Sequence, residues 1–430
     1  MDGTRAARDL SEPLRAACRD ARSPSTVTLY VMASASGSTI STRVALIVFF
    51  TVFLDLVGFG IIIPFLPLYV KSMGGTAETV GFLFASFSFT QLVATPILGR
   101  VSDRFGRRRV ILVSLAGNAA SMILFAWASH THALALLFVS RILAGATAGN
   151  IAACQAAVAD VTTGTERAKG MGRIGAGIGL GMVLGPAIGG WASRFGESFP
   201  PLAAAALAML DLLAALVFMP ETRDPSVPAR ETATGATRSL GAVLVEPRVA
   251  TVLALYFLTF LFLTPLQVAL PLLASGRFQW KEVDVGHVFV LFGLIGLLVQ
   301  GFLIGRLTLL FSPRVLVLAG ELIAGAGLFT IAAAHTSAAL VGGLAVMGLG
   351  MGIANPVLSA LASEYAGAGR QGAILGFAQS AGGLARTLGP IGVGTLYARL
   401  GPGAPFVGGG ISALVAFVLA LSVPRPRAPE

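Results

Sequence analysis

Twelve apolar runs of about twenty residues follow one another through the chain, at about 44–70, 79–98, 110–129, 133–159, 171–191, 201–219, 249–274, 286–305, 314–334, 338–362, 372–397 and 404–423. A helix of that length crosses the hydrocarbon of a bilayer, so the pattern predicts an all-α membrane protein with twelve spans. Charge is correspondingly scarce. Only 12% of the residues are charged and 55% are hydrophobic, against about 25% charged in a soluble domain. The 53 glycines and 22 prolines suit helices that pack backbone to backbone and tolerate breaks.

The positive charges set an orientation. Of 30 Lys and Arg residues, 23 fall in the two tails and the even-numbered loops. Five fall in the odd-numbered loops: Lys71, Arg194, Arg277, Lys281 and Arg399. The remaining two, Arg141 and Arg386, lie inside spans. The positive-inside rule then places both termini in the cytoplasm of a cell (inner) membrane protein. It also accounts for the net charge of +10 without a nucleic-acid partner. The domain plan is a cytoplasmic, disordered tail over 1–43, a six-helix half over 44–219, a polar cytoplasmic linker over 220–248, a second half over 249–423 and a short tail over 424–430. No apolar core of a signal peptide is evident in the first 43 residues, and Met32 is an alternative start to Met1. The two cysteines, Cys18 and Cys154, have no metal or disulfide spacing.

The halves echo one another at an offset of about 204 residues. Pro67-Leu68 matches Pro271-Leu272, Gly99-Arg100 matches Gly305-Arg306, Asp160 matches Glu364, and Gly185-Pro186 matches Gly389-Pro390. Six spans per repeat preserve orientation, so the halves are parallel repeats, with cargo expected between them near the midplane.

The loop after span 2 reads Gly99-Arg-Val-Ser-Asp103-Arg104-Phe-Gly106-Arg107-Arg108-Arg109. It resembles the signature loop of the major facilitator superfamily, with Gly99 and Gly106 expected to allow a tight turn and Asp103 to accept hydrogen bonds from a helix terminus or an arginine. Span 5 reads Gly172-x8-Gly181-x3-Gly185-Pro186-x2-Gly189-Gly190. It resembles the motif of that superfamily's antiporters, a flat face against which another helix packs, with Pro186 weakening the helix. Span 1, Leu54-Asp55-x2-Gly58-x-Gly60-Ile-Ile-Ile-Pro64-x2-Pro67, and span 4, Arg141-x3-Gly145-x3-Gly149, resemble those of the drug:proton antiporters. Ala159-Asp160-Val-Thr-Thr and Arg370-Gln371-Gly372 bring it nearest the tetracycline-efflux type. That resemblance implies a major facilitator fold that works as a monomer. One departure bears on cargo: Ser121 stands where the tetracycline type has an acid.

A charge at the centre of a span costs about 2.5–3.5 kcal/mol on insertion scales. Five ionisable side chains are therefore candidates for function: Asp55, Arg141, Asp211, Glu321 and Arg386. Asp55, Arg141 and Glu321 are expected to couple protons, with Arg141 as a cation that approaches Asp55 in one conformation and Glu321 open to pairing with Arg386. Gln267, Asn355, Gln379, Arg386 and Asp211 are candidate cargo contacts. No nucleophile–base set, phosphate loop, metal cluster or cofactor motif is present, and an enzyme is not expected. The expected activity is proton-coupled export of a drug-like or amphipathic small molecule by alternating access. The alternatives are an exporter or facilitator of an endogenous solute such as a sugar, siderophore or metabolite, and a sensor that has kept the fold.

Overall fold

The computed structural model describes residues 24–223, 246–366 and 371–423. Among the described residues all regular structure is helical, and twelve helical units follow in the expected order. Ten are long and apolar enough to cross a membrane: Thr42–Ser72, Ala77–Phe105, Arg107–Thr131, Leu134–Val161, Lys169–Phe195, Phe199–Phe218, Pro247–Phe278, Glu282–Leu310, Pro313–Ala332 and Ser337–Tyr365. They are spans 1 to 10. Span 11, Gln371–Leu400, has the length but is interrupted by Gln379, Ser380, Arg386 and Thr387. Span 12, Ala404–Ala420, has 17 residues, just short of the ~20 that a bilayer asks for.

The first helix begins at Pro24 rather than near residue 44. Proline suits the first turn of a helix, and no further proline occurs before Pro64. The expected tail over 1–43 is therefore helical in its second part. Residues 1–23, the bulk of the expected linker (224–245), Arg370 and the tail at 424–430 lie outside the described residues.

Three spans depart from a simple helix. Span 1 stops at Ile62 and resumes as Leu66–Ser72, with Pro64 and Pro67 removing backbone donors at the break. Span 4 is two helices, Leu134–Ala146 and Asn150–Val161. Span 8 holds a π turn over Val299–Leu303.

Span 5 lies along span 1 on glycine. A Cβ at Gly181 would stand 2.6 Å from Leu56 Cβ, one at Gly185 2.6 Å from Gly60 Cα, and one at Gly189 2.6 Å from the Ile61 carbonyl. Gly177 continues the row, 3.1 Å from the Phe49 carbonyl. Gly190 looks instead to span 8, 3.4 Å from Gly286 Cα. Gly172, expected as the first residue of this face, would meet nothing within 4 Å. The helix runs unbroken through Pro186, whose ring lies 3.1 Å from the Cβ position of Gly60.

The halves meet from the odd-loop end to the middle of the spans. Around the odd-numbered loops, one hydrophobic cluster is shared by both halves, joining Phe65, Leu66, Phe125 and Leu137 to Phe262, Leu273, Val285 and Phe406. There Lys71 Nζ donates to Ser275 Oγ at 3.2 Å, Arg399 stands 3.9 Å from Glu78, and a Cβ on Gly286 would stand 2.9 Å from the Pro186 carbonyl. Toward the signature loop the buried clusters separate, one built from Val44, Ile111, Val158 and Met219 and the other from Val249, Leu316, Leu361 and Ile374. The molecule is thus closed at the odd-loop end and parted at the signature-loop end.

Candidate transport site and its hinge

Gly106 alone makes the turn of the signature loop. Its φ of 105° and ψ of 153° lie in a region essentially reserved for glycine. Gly99 is not a turn residue, because it sits inside the helix Ala77–Phe105 with open space where a Cβ would be. Arg107 ties the loop together. Its guanidinium reaches Asp103 at 2.5 Å and Asp160 at the end of span 4 at 2.9 Å, and its backbone N–H donates to Glu221 Oε1 at 2.8 Å. Glu221 follows span 6 and fills the space a Cβ on Gly106 would need. Arg223 donates to the Arg104 carbonyl, while the Arg104 side chain lies over Phe105. The loop therefore clamps spans 2, 3, 4 and 6 at one end. The sequence pointed to Asp103 and Arg107, whereas Glu221 and Arg223 stood in a stretch read as linker. Gly106→Ala is expected to cost about 1–3 kcal/mol of backbone strain and to displace Glu221, read as a lower melting temperature of the purified protein. Glu221→Ala in the same background should recover little, because the strain lies in the backbone.

Deeper in the same half, Asp55 is partly exposed and held from two sides. Asn118 Nδ2 of span 3 donates to one carboxylate oxygen at 2.6 Å, and Asn150 Nδ2 donates to the other at 2.9 Å. Asn150 is fixed in turn, since its Oδ1 accepts the Ile151 N–H at 2.8 Å. It opens the second helix of span 4, so the break in that span presents a helix N-terminus close to a carboxylate, a favourable arrangement. Sequence reasoning missed Asn150. The Gly145-x3-Gly149 spacing just before it was the available cue, because glycines at 145 and 149 mark where the backbone can leave the helix.

Arg141 does not meet Asp55. It is buried at 1% exposure, stacked on the Phe125 ring at 5.0 Å, with Nη2 near Ser140 Oγ at 3.4 Å. Glu321, wholly buried, takes the Thr259 hydroxyl at 2.8 Å and has no contact with Arg386. Arg386 is half-buried over the Phe260 ring at 4.7 Å, without a hydrogen bond or ion pair among the described residues. An aromatic face stands where each arginine was expected to find an acid. Every ion pair among the described residues lies near the ends of the spans, at Asp103, Asp160, Glu166 and Glu78.

Asp211, expected among the cargo contacts, is only 1% exposed and cannot touch cargo in this conformation. Gln267 and Asn355 are half-buried, and Gln379 is exposed on span 11, seven residues before Arg386 and so on the same helix face. Ser121 is fully buried, its hydroxyl donating to the Asn118 carbonyl at 2.7 Å and its own carbonyl accepting from Ser140.

The two halves repeat one contact with the chemistry exchanged. Span 1 supplies the acid and span 3 the neutral donor in Asp55–Asn118. Span 7 supplies the neutral donor and span 9 the acid in Thr259–Glu321. Thr259 stands at the repeat position of Asp55.

This architecture is that of a membrane transporter, and the comparisons assign the family. Residues 48–308 and 252–430 match the model of the Major Facilitator Superfamily. The class E tetracycline resistance protein of Escherichia coli is 32% identical, over 83% of this chain and 88% of its own. The crystal structure of the human organic anion transporter MFSD10 (TETRAN) superposes with a TM-score of 0.67 at 26% identity, covering 88% of this chain and 99% of that one. A D-xylose-proton symporter superposes with a TM-score of 0.73 at 16% identity over 90% and 98% of the two chains, a likeness of fold alone. The chain belongs to the Major Facilitator Superfamily and is a multi-pass membrane transporter.

Proposed function

We infer that this transporter exports an amphipathic, drug-like molecule in exchange for protons. The observation that carries the reading is Asp55: a partly exposed carboxylate in mid-span, gripped by amides from spans 3 and 4 and by no cation. Such a group can exchange a proton with the space between the halves, and its occupancy changes what spans 1, 3 and 4 hold in common. Glu321 is the corresponding acid of the second half. Arg141 acts through packing on Phe125 in this conformation, where it lies apart from Asp55. With both termini in the cytoplasm, as the distribution of arginines supports, the parted end faces the cytoplasm and the closed end faces outward. That is the state in which an exporter loads cargo.

Arg386 and Phe260 favour one kind of cargo. A guanidinium without a partner beside an aromatic ring suits a molecule with an anionic or electron-rich group next to a flat apolar body. Gln379 on the same helix face adds a hydrogen bond, and Gln267 and Asn355 are further polar candidates. The solved relative described as an organic anion transporter agrees with this preference, and Ser121 argues against cargo that needs an acid at that position. The test is transport in everted vesicles, with proton release read by a pH dye across a panel of anionic, neutral and cationic amphiphiles. Cargo-dependent proton release is expected with anionic members; equal responses to all three classes would remove the cargo preference, and no release with any would remove antiport. Arg386→Gln is expected to raise the KM for the best anionic cargo by about 10- to 100-fold, the loss of one charge-assisted hydrogen bond.

A further inference from the structure

Asp211 is the one ionisable side chain in the middle of span 6, and it plays no part in the site just described. It is only 1% exposed, and its Oδ2 has no hydrogen-bond partner. The Thr51 hydroxyl lies beside its carboxyl. Thr51 precedes Asp55 by four residues on span 1, so the two share a helix face, and span 6 packs on span 1. Asp211 is thus buried where span 6 packs on span 1, the helix that carries Asp55. The other titratable group facing both acids is the buried thiol of Cys154 on span 4. Spans 3 and 5, which also pack on span 6, carry their charges at or near their ends, on Arg107, Arg108, Arg109, Lys169, Arg173 and Arg194. Among the described residues no cation pairs with Asp211.

The two acids have opposite surroundings. Both oxygens of Asp55 accept amide N–H groups, which suits an ionised carboxylate with only acceptors to offer. Asp211 has one hydroxyl nearby and one orphan oxygen in an apolar setting, where the neutral acid is the form that persists. Neighbouring carboxyls placed in contrasting environments divide the states of protonation between them. We propose that Asp55 and Asp211 form one proton-holding pair, with Asp55 as its gate to the cargo space and Asp211 as the buried member that keeps a proton while Asp55 is charged. The pair carries one proton and one negative charge when empty, and two protons and no charge when loaded. The second proton enters and leaves through Asp55, while Asp211 keeps its own. The proposal deepens the proton-coupling reading and rests on it.

The test needs neither cargo nor transport. Protein in lipid nanodiscs is examined by infrared spectroscopy for the carbonyl stretch of protonated carboxylic acids, which shifts on deuteration. At neutral pH, Asp211→Asn is expected to lose one such band that the parent shows. Asp55→Asn, which keeps Asp211, is expected to retain that band at a shifted frequency, because the charge beside it has gone. The pH at which the Asp55 band appears should also move in Asp211→Asn. If Asp211→Asn leaves the bands unchanged, or Asp55→Asn leaves the Asp211 band unshifted, the pair is refuted. Should Asp211→Asn fail to fold, the frequency shift in Asp55→Asn decides alone. Vesicle assays without proton release alongside intact band shifts would overturn antiport while leaving the paired acids standing.

Discussion

Asp55→Asn is expected to reach the membrane at parental levels and to lose uphill export completely. Asparagine matches aspartate in shape but cannot ionise. Its amide removes one acceptor and faces two donors, from Asn118 and Asn150. Asn150 cannot turn over freely, because its Oδ1 already holds the Ile151 N–H. No such bond restrains the Asn118 amide, which can rotate to present its oxygen. The folded protein therefore survives, with a cost below the ~1–3 kcal/mol of a buried group left unpaired. Asp55→Ala removes both acceptors and strands both amides, so it should lower the melting temperature where Asp55→Asn does not. The measurement is cargo-dependent proton release in everted vesicles, with downhill cargo flux as its companion. Loss of the proton signal with downhill flux retained is the expected pattern. Retained proton release in Asp55→Asn would take Asp55 out of the coupling machinery.

How much of this was legible in the sequence depends on the kind of contact. The twelve spans were readable because each one alone must satisfy the bilayer, a local requirement written in twenty consecutive residues. Asp103 and Arg107 were readable because they lie four apart within one loop motif, on either side of the Gly106 turn. The partners of the buried charges were not, because hydropathy does not say which faces meet. Opposite charges suggested Asp55 with Arg141 and Glu321 with Arg386. The fold instead gives each acid neutral donors, Asn118 and Asn150 or Thr259, and each arginine an aromatic ring, Phe125 or Phe260. Neutral donors occur throughout such a chain and mark nothing by themselves. Gly99 shows the converse error, since a glycine in a signature loop was taken for a turn and lies within a helix.

The second large effect concerns span 5, where substitutions a few turns apart should behave in opposite ways. Gly172 and Gly175 have open space around the position of a Cβ, whereas Gly185 has Gly60 Cα at 2.6 Å and the Val57 carbonyl at 2.8 Å. These obstructions are backbone, with no flexible side chain to swing aside, and Gly60 meets Gly185 Cα at 3.0 Å from its own side. Spans 1 and 5 must separate to admit even a methyl group, and overpacking of this kind costs about 1–3 kcal/mol for small additions. Gly185→Ala is therefore expected to lower the melting temperature of purified protein by several degrees, and Gly185→Leu to prevent its accumulation in the membrane. Gly175→Ala, on the same helix, should match the parent or exceed it slightly, because alanine favours helix over glycine by about 1 kcal/mol. Since span 1 carries Asp55 and span 5 also packs on span 8 of the other half, this seam links the proton site to the moving interface. Gly185→Ala should then slow export more than its loss of folded protein accounts for, measured as flux per molecule of folded transporter. Normal flux per molecule would confine the glycine face to a structural role.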